Sequence, residues 1–464
     1  TEAAGNVLIS DNDGNASWQA PAIGSTSGMA DYIPKFITPN SLGNSVMYQN
    51  GTKIGVGSTT PSGKFMIQQE TNADATEPIF EIKDKFDKTV MVVYEDSVHF
   101  FIKDPGGSKA ENKGAFAVSG KNSTKNITSN FFHLNTLNLL SGQDAGHKLT
   151  SSVNYTGKFN TFLGYEAGYN DTSGYQNYFL GFRAGYSTTN GYSNIYIGDS
   201  AGFSNTSGIR NVAIGNQSGK NGTAGNYNVF MGYNTGFNNT ASNNVFLGYE
   251  CGLNNTTGTN NAFVGYKAGR SNTTGSSNVI IGDNAGYSNI TGGNNVFLGY
   301  YAGYTNNASN NVFLGFEAGR QNTTGTNNAF MGYLAGRSNT TGSSNVIIGD
   351  NAGFTNTSGI QNVFLGKNAG YTNNASNNVF LGFEAGRQNT TGTNNAFMGY
   401  LAGRSNTTGS SNVMIGDNAG YTNTTGIQNV FLGKNAGYNN NASNNVFLGF
   451  EAGRQNTTGT NNAF

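Results

Sequence analysis

Residues 310–319 read Asn-Asn-Val-Phe-Leu-Gly-Phe-Glu-Ala-Gly, and close variants of this segment recur through the rest of the chain from Gly164 onward. Each copy has an apolar triplet, a Gly, two variable residues, a small residue and a second Gly. The triplet-ending Gly occurs 18 times between Gly164 and Gly449, at spacings of 17 or sometimes 16 residues. We call each repeat a rung. The 16-residue step recurs every fourth rung in the later part, so four rungs form a unit of 67 residues.

The rungs have the character of β-strands and not of helices. Their apolar runs are short, rich in Val, Ile and Phe, and bounded by Asn and Gly. One such rung cannot bury its own apolar side, so the rungs must stack. We therefore predict an all-β chain, in which short N-terminal β modules precede a β-solenoid or β-roll. At about 4.8 Å per rung the rod would be roughly 85 Å long. Asn310, Asn327, Asn345 and Asn362 are expected to form side-chain ladders along it.

The triplet also predicts which side chains face inward. Alternation along a strand places its first and third residues, such as Val312 and Leu314, on one face, and we expect these to fill the interior. The middle residue, Phe in 13 rungs of 18, would then face outward and need a cover. This reasoning predicts a parallel homo-oligomer, a trimer by default or a larger ring. A wider coil with both faces internal is the alternative. The predicted interface residues are Phe246, Phe263, Phe297, Phe313, Phe330, Phe364, Phe380, Phe397, Phe431 and Phe447.

The N-terminal part lacks the rung and holds most of the charge. We divide the chain into small β modules at 1–78, a β-hairpin or meander at 79–118, a transition segment at 119–160 and the solenoid at 161–464. A hairpin is predicted with its turn at Asp13 and Gly14. Three strands are expected between residues 79 and 102, and Ala115 to Val118 could form a fourth.

Several segments resemble known surface proteins. Residues 31–36 (Asp-Tyr-Ile-Pro-Lys-Phe) and 50–61 resemble a segment common in tail-fibre-like surface proteins of Bacteroidota, and residues 79–118 are similar to another module of those proteins. The rungs are similar to the head repeats of trimeric autotransporter adhesins, although those repeats are shorter. The hook-bearing surface fibres of predatory gliding bacteria also fit the description. The resemblance implies a long, secreted, oligomeric protein attached to the cell surface.

Composition and motifs exclude several function classes. Lys+Arg and Asp+Glu are 25 each, so the chain lacks the basic surface that nucleic acid requires. One Cys and three His argue against a metal centre, and no apolar run is long enough to span a bilayer. Gly198 to Gly202 matches the G-x-S-x-G nucleophile pattern, but its glycines are the obligatory rung glycines. We expect no enzymatic activity and no cofactor.

One row of side chains, meaning the residues at the same position of successive rungs, is a candidate binding surface. It follows the second Gly of the rung and could bind glycans or a partner, or could simply clamp neighbouring rungs by stacking. Its members are Tyr304, Arg320, Arg337, Phe354, Tyr371, Arg387, Arg404 and Tyr421.

The sequence thus predicts a structural rod of an extracellular fibre that extends an adhesive or hooking end from the cell. A phage or contractile-injection-system tail fibre is the first alternative. An ice-binding solenoid is the second, prompted by Asn-Thr-Thr rows that Asn307–Ser309 and its counterparts interrupt. Because residues 450–464 repeat residues 383–397, we expect the repeats to continue beyond Phe464. A cell-surface or glycan target would then be bound by regions outside this chain.

Overall fold

The structure, a computed structural model, describes residues 7–10, 13–19, 32–38, 41–69, 77–87, 89–93, 98–100, 115–121, 128–135, 137–150 and 156–464. These residues form strands and turns only, which confirms the all-β prediction. No helix within these ranges has the length and apolar character that crossing a bilayer requires. The chain divides into two compact units, Thr1–Gly106 and Gly107–Phe464.

The described residues of the first unit form three small sheets. β1 (Val7–Ser10) and β2 (Ala16–Gln19) form an antiparallel hairpin, and its turn includes Gly14 at a φ of 84°. The second sheet has the order β3-β4-β5-β6 and the third the order β7-β8-β9. Their bounds are β3 Tyr32–Thr38, β4 Ser41–Asn50, β5 Lys53–Val56, β6 Phe65–Ile67, β7 Phe80–Lys83, β8 Thr89–Val93 and β9 Val98–Phe100. Residues 101 and 102, expected in the third strand of the meander, lie outside the described residues.

The second unit is built on one sheet of 21 strands. β10 (Ala115–Lys121), β11 (Thr128–Asn135) and β12 (Asn138–Ser141) pair antiparallel in sequence order. Ala115 to Val118, which the sequence suggested as a fourth strand of the 79–118 module, therefore form part of β10 and pair in this sheet. β12 already pairs in parallel with the first predicted rung, Asn138 opposite Asn160. The parallel register thus begins inside the predicted transition segment, because residues 138–146 carry the rung pattern with Ser141 at the end of the triplet.

From β13 onward every strand pairs in parallel with the next one along the chain. This is the predicted solenoid, with one strand per rung. The strands are β13 Asn160–Leu163, β14 Tyr178–Leu180, β15 Ile195–Ile197, β16 Val212–Ile214, β17 Val229–Met231, β18 Val245–Leu247, β19 Ala262–Val264, β20 Val279–Ile281, β21 Val296–Leu298, β22 Val312–Leu314, β23 Ala329–Met331, β24 Val346–Ile348, β25 Val363–Leu365, β26 Val379–Leu381, β27 Ala396–Met398, β28 Val413–Ile415, β29 Val430–Leu432 and β30 Val446–Leu448.

The predicted orientation of the triplet is wrong. The middle residue points into the coil, and the first and third residues point outward, as the burial of Val312, Phe313 and Leu314 shows. The Phe row is 0% exposed within a single chain, so it forms the solenoid's own core and is not available as an interface. This correction applies to Phe246, Phe263, Phe297, Phe313, Phe330, Phe364, Phe380, Phe397, Phe431 and Phe447.

The core is a column of stacked rings. Phe313 and Phe330 in adjacent rungs have ring centroids 4.9 Å apart and planes 12° from parallel. The small residue and the second Gly of each rung form the opposite wall. At Gly319 φ is 57°, and an added Cβ would lie 2.6 Å from the Phe313 ring. The large Phe ring on one side and the small residue and Gly on the other together fill the narrow interior, so neither can be enlarged without a clash.

Candidate functional surfaces

Two ladders of buried Asn side chains flank the Phe column. In the first, the backbone N–H of Asn345 donates to Oδ1 of Asn328 at 3.0 Å, and its side-chain amide donates to the carbonyl of Gly359 at 2.9 Å. In the second, the Asn339 amide donates to Asn322 Oδ1 at 2.6 Å. These bonds satisfy polar groups that would otherwise be costly to bury. The ladders hold the rungs in axial register.

The ladder prediction is half right. Asn345 and Asn362 belong to the first ladder, and both are buried. Asn310 and Asn327 precede ladder members by one residue and have φ values of 63° and 60°. Both are exposed at the turn before the strand, because the left-handed backbone conformation there directs the side chain away from the ladder.

Asp171 occupies a position of the second ladder where later rungs carry Asn. Its carboxylate accepts hydrogen bonds from the backbone N–H of Gly174 at 2.7 Å and from the Asn177 amide at 3.3 Å. Burial outweighs these bonds and raises the pKa of Asp171 from 3.8 to about 7. The folded chain therefore binds a proton that the unfolded chain releases above pH 4.

We expect Asp171→Asn to abolish this pH dependence. Because the folded pKa is raised, the free energy of unfolding of the wild type falls as pH rises from about 4 to about 7. The Asn variant should match the wild type near pH 4 and exceed it at pH 8 by up to about 4 kcal/mol. Denaturant unfolding at both pH values tests this, and an equal difference at pH 4 and pH 8 would contradict it.

The outward side chains form a second continuous feature, which we call the outer sheet face. It consists of the first and third residues of each triplet and the residue after the triplet Gly. Leu298 and Leu365 are 47% and 48% exposed, and Tyr333 and Tyr400 are 52% and 54% exposed. Aromatic members stack along the rod, as Phe316 does on Tyr333 at 5.2 Å. The sequence analysis missed this face because it assigned the triplet's outer residues to the interior.

The outer sheet face carries a four-rung pattern from Phe316 onward. The residue after the triplet Gly is aromatic in two successive rungs, then Asp350, then Lys367. Asp350 and Lys367 form an ion pair of 3.4 Å between Nζ and Oδ2. The next unit repeats this arrangement with an ion pair of 3.8 Å between Lys434 and Asp417. Each ion pair is thus flanked along the rod by pairs of aromatic side chains.

The predicted Arg and aromatic row lies at a corner of the coil, and its members contact one another between rungs. The Arg337 guanidinium lies 5.6 Å from the Phe354 ring centroid, and Phe354 stacks on Tyr371 at 5.2 Å. Arg387 in turn lies 5.6 Å from the Tyr371 ring. The same contacts join Arg404 to Tyr421. All eight predicted members, Tyr304, Arg320, Arg337, Phe354, Tyr371, Arg387, Arg404 and Tyr421, are half-buried.

Glutamates anchor the arginines of this row. Arg404 Nε lies 2.6 Å from Glu384 Oε2 across one rung boundary. This hydrogen bond raises the pKa of Arg404. Glu317 and Arg337 repeat the contact one unit earlier at 2.5 Å. These contacts fit the clamping interpretation, since the guanidinium is already engaged on one face by a ring and on its edge by a carboxylate.

The Ser, Cys and His side chains that could take part in chemistry are buried or engaged in contacts within the coil. Ser200 is 8% exposed, and its hydroxyl donates to the Asp199 carboxylate at 2.6 Å. Cys251 is 0% exposed, and burial raises the pKa of its thiol. His147 Nδ1 lies 3.5 Å from Asp144 Oδ1, and its ring stacks on Tyr169. Among the described residues no group of three or more His, Cys, Asp or Glu side chains could hold a metal ion.

An internal cavity of about 20 Å³ interrupts the Phe column. It arises where Ala213 replaces the core ring and Gly222 replaces the ladder Asn of the same rung. Tyr196 lines this space, and its buried hydroxyl has no hydrogen-bond partner among the described residues. The hydrophobic core accordingly divides into one cluster that ends at Ala213 and another that begins at Phe230. A cavity of this size holds about one water molecule. It is too small for an organic ligand.

The chain was compared with protein-family models, curated proteins and solved structures, and nothing in any of the three sets matches it.

Proposed function

We propose that this chain is a non-enzymatic structural part of a secreted extracellular fibre. In this proposal it forms a homo-oligomeric rod, with three copies as the first expectation and a larger ring as the alternative. The rod is attached to the cell surface and holds an adhesive or hooking end away from the cell. The target of that end is a cell surface or a glycan.

The observation that carries the proposal is the uninterrupted axial order of the solenoid. The 18 strands from β13 to β30 pair in one parallel register, which gives a rod roughly 85 Å long. The core column and both Asn ladders recur along the rungs, with one break at Ala213 and Gly222, so stability is distributed over most of the length. The conspicuous surfaces described above are long rows of side chains. A chain built in this way is suited to spanning a distance.

The threonine rows give little support to ice binding. The hydroxyls of Thr323 and Thr340 donate to backbone carbonyls of the following rung at 2.9 Å. Asn374 replaces the first Thr of its row and accepts a hydrogen bond from the Thr357 hydroxyl. The hydroxyl protons therefore serve the coil itself, and the regular spacing of the rows is interrupted once in each unit.

Immunogold electron microscopy of the producing cells tests the proposal. An antibody raised against the rung region should label thin filaments on intact, unpermeabilised cells, and protease treatment of those cells should remove the label. The same antibody on permeabilised cells serves as the control. Label that appears only after permeabilisation would overturn the proposal. Label on released particles that sediment with phage-like tails would favour the tail-fibre alternative.

A further inference from the structure

We propose that the outer sheet face packs against a neighbouring copy of this chain, and that the 67-residue unit sets the axial register of this contact in steps of four rungs. The inference rests on the homo-oligomeric rod of the proposed function and identifies the surface that assembles it. That surface lies on the opposite side of the sheet from the Phe row.

The first support is the exposure of this face. Every rung from Tyr178 onward places two apolar side chains on it, and two of the four rungs in each unit from Phe316 onward add an aromatic ring. Soluble monomers rarely expose a continuous apolar patch of more than a few hundred square ångströms. This patch follows the whole parallel sheet, so it needs a cover of comparable length.

The second support is its area. A face about 85 Å long and three to four residues wide, at about 3.3 Å per residue, covers on the order of 1,000 Å². Stable protein pairs bury about 800 Å² on each partner. The outer sheet face of one chain is therefore large enough for a stable complex without any other surface.

The third support is the four-rung pattern, which identifies the partner as a second copy. A lipid surface offers no groups spaced to match the recurring Asp350 and Lys367 pair, and apolar contact would strip water from both charges. Another copy of the chain carries the same alternation at the same spacing. When two copies lie in the same register, the aromatic pairs of one chain face apolar surface of the other in every unit. The ion pairs of the two chains then lie at the same height along the rod.

Sliding one copy by a single rung would bring either Asp350 or Lys367, depending on the direction, to a height where the partner carries an aromatic ring. That ion would then lose its water against apolar surface, which is unfavourable even though its own ion-pair partner moves with it. The mismatch disappears only after four rungs, a distance of about 19 Å. The unit length thus selects one register out of four.

Substitutions on two faces of the same rungs test the interface. Leu365→Lys with Leu432→Lys places charge on the outer sheet face. The matched control, Ile360→Lys with Ile427→Lys, changes equally exposed apolar residues at the turns before the same two strands. In sedimentation velocity we expect the Leu pair to weaken self-association at least about tenfold and the Ile pair to leave it unchanged. A monomeric wild type, or equal behaviour of both variants, would overturn the interface.

Deletions test the register. Removing residues 333–349 takes out one rung, and removing residues 316–382 takes out one full unit. When each is mixed with tagged wild-type chain, the unit deletion should co-assemble fully and the single-rung deletion at least about tenfold less. Equal co-assembly would overturn the register. These outcomes are separate from the cellular test. Cells that carry the Leu365→Lys and Leu432→Lys variant and still form filaments would refute this interface and leave the proposal of an extracellular fibre standing.

Discussion

Replacing Gly332 with alanine is expected to cost more than about 3 kcal/mol of stability and to open the sheet at that rung. Its φ is 135°, a conformation that residues with a side chain rarely adopt, and an added Cβ would lie 2.6 Å from the carbonyl oxygen of Gly349 in the next rung. Neither atom can move without breaking strand pairing. Denaturant unfolding measures the loss, and hydrogen exchange locates it at β23 and β24.

Gly449→Ala is the matched control for this prediction. Gly449 has a φ of 126°, but in the chain ending at Phe464 no atom of the described residues, chain neighbours aside, lies within 4 Å of the position its Cβ would take. The difference between the two variants therefore isolates the close approach of successive rungs from the backbone strain. Equal losses in both variants would show that strain alone accounts for the glycine, and would contradict the steric part of the argument.

Phe313→Ala should destabilise the folded chain by about 3–5 kcal/mol, because it leaves a ring-sized cavity in a column that is otherwise filled. The rings above and below cannot collapse into the gap, since the Asn ladders on both sides hold the rungs apart at a fixed spacing. Differential scanning calorimetry and denaturant unfolding of the purified chain measure the effect.

Ile360→Ala is the control for Phe313→Ala. Ile360 lies at the turn before β25, outside the outer sheet face, and is 42% exposed, so its truncation should cost under about 1 kcal/mol. Comparable losses at the two positions would contradict the inward orientation of the Phe row. If Phe313→Ala reduced assembly with no loss of stability, the original interface interpretation would be restored.

The repeat and its stacking could be predicted from the sequence because both depend on patterns along the chain. The period, the strand at each triplet and the need for glycine after it all follow from residue type and spacing. The hairpin at Gly14 was predictable for the same reason. These features depend on local backbone conformation, which a residue such as Gly14 or Gly332 largely determines.

The inward direction of the triplet could not be predicted from alternation alone. Val312, Phe313 and Leu314 are all apolar, so a two-residue period leaves open which set faces the core. Another part of the rung does indicate which residue of the triplet faces inward. Gly319 and the small residue before it leave an empty wall, and only a large residue such as Phe313 fills the space opposite.

The sequence pattern also could not predict which of the N-terminal strands pair with each other. Ala115–Lys121 has the same alternating character as the strands before it, and nothing in its composition says that it pairs with Thr128–Asn135. The exposed face was missed as a direct result of the triplet error. Its four-rung alternation of aromatic and charged residues was visible in the sequence, but it has meaning only once those positions are known to point outward.

The hydrogen bonds between rungs run along the rod, and this direction determines how the rod responds to tension. A pull between its two ends loads the bonds of one rung boundary at a time, so strands separate by peeling and not by collective shear. Each released rung of 17 residues frees up to about 58 Å of extended chain in place of about 5 Å of rod. We therefore expect the solenoid to lengthen in small steps under tension and to dissipate a sudden load before the remainder of the coil is lost.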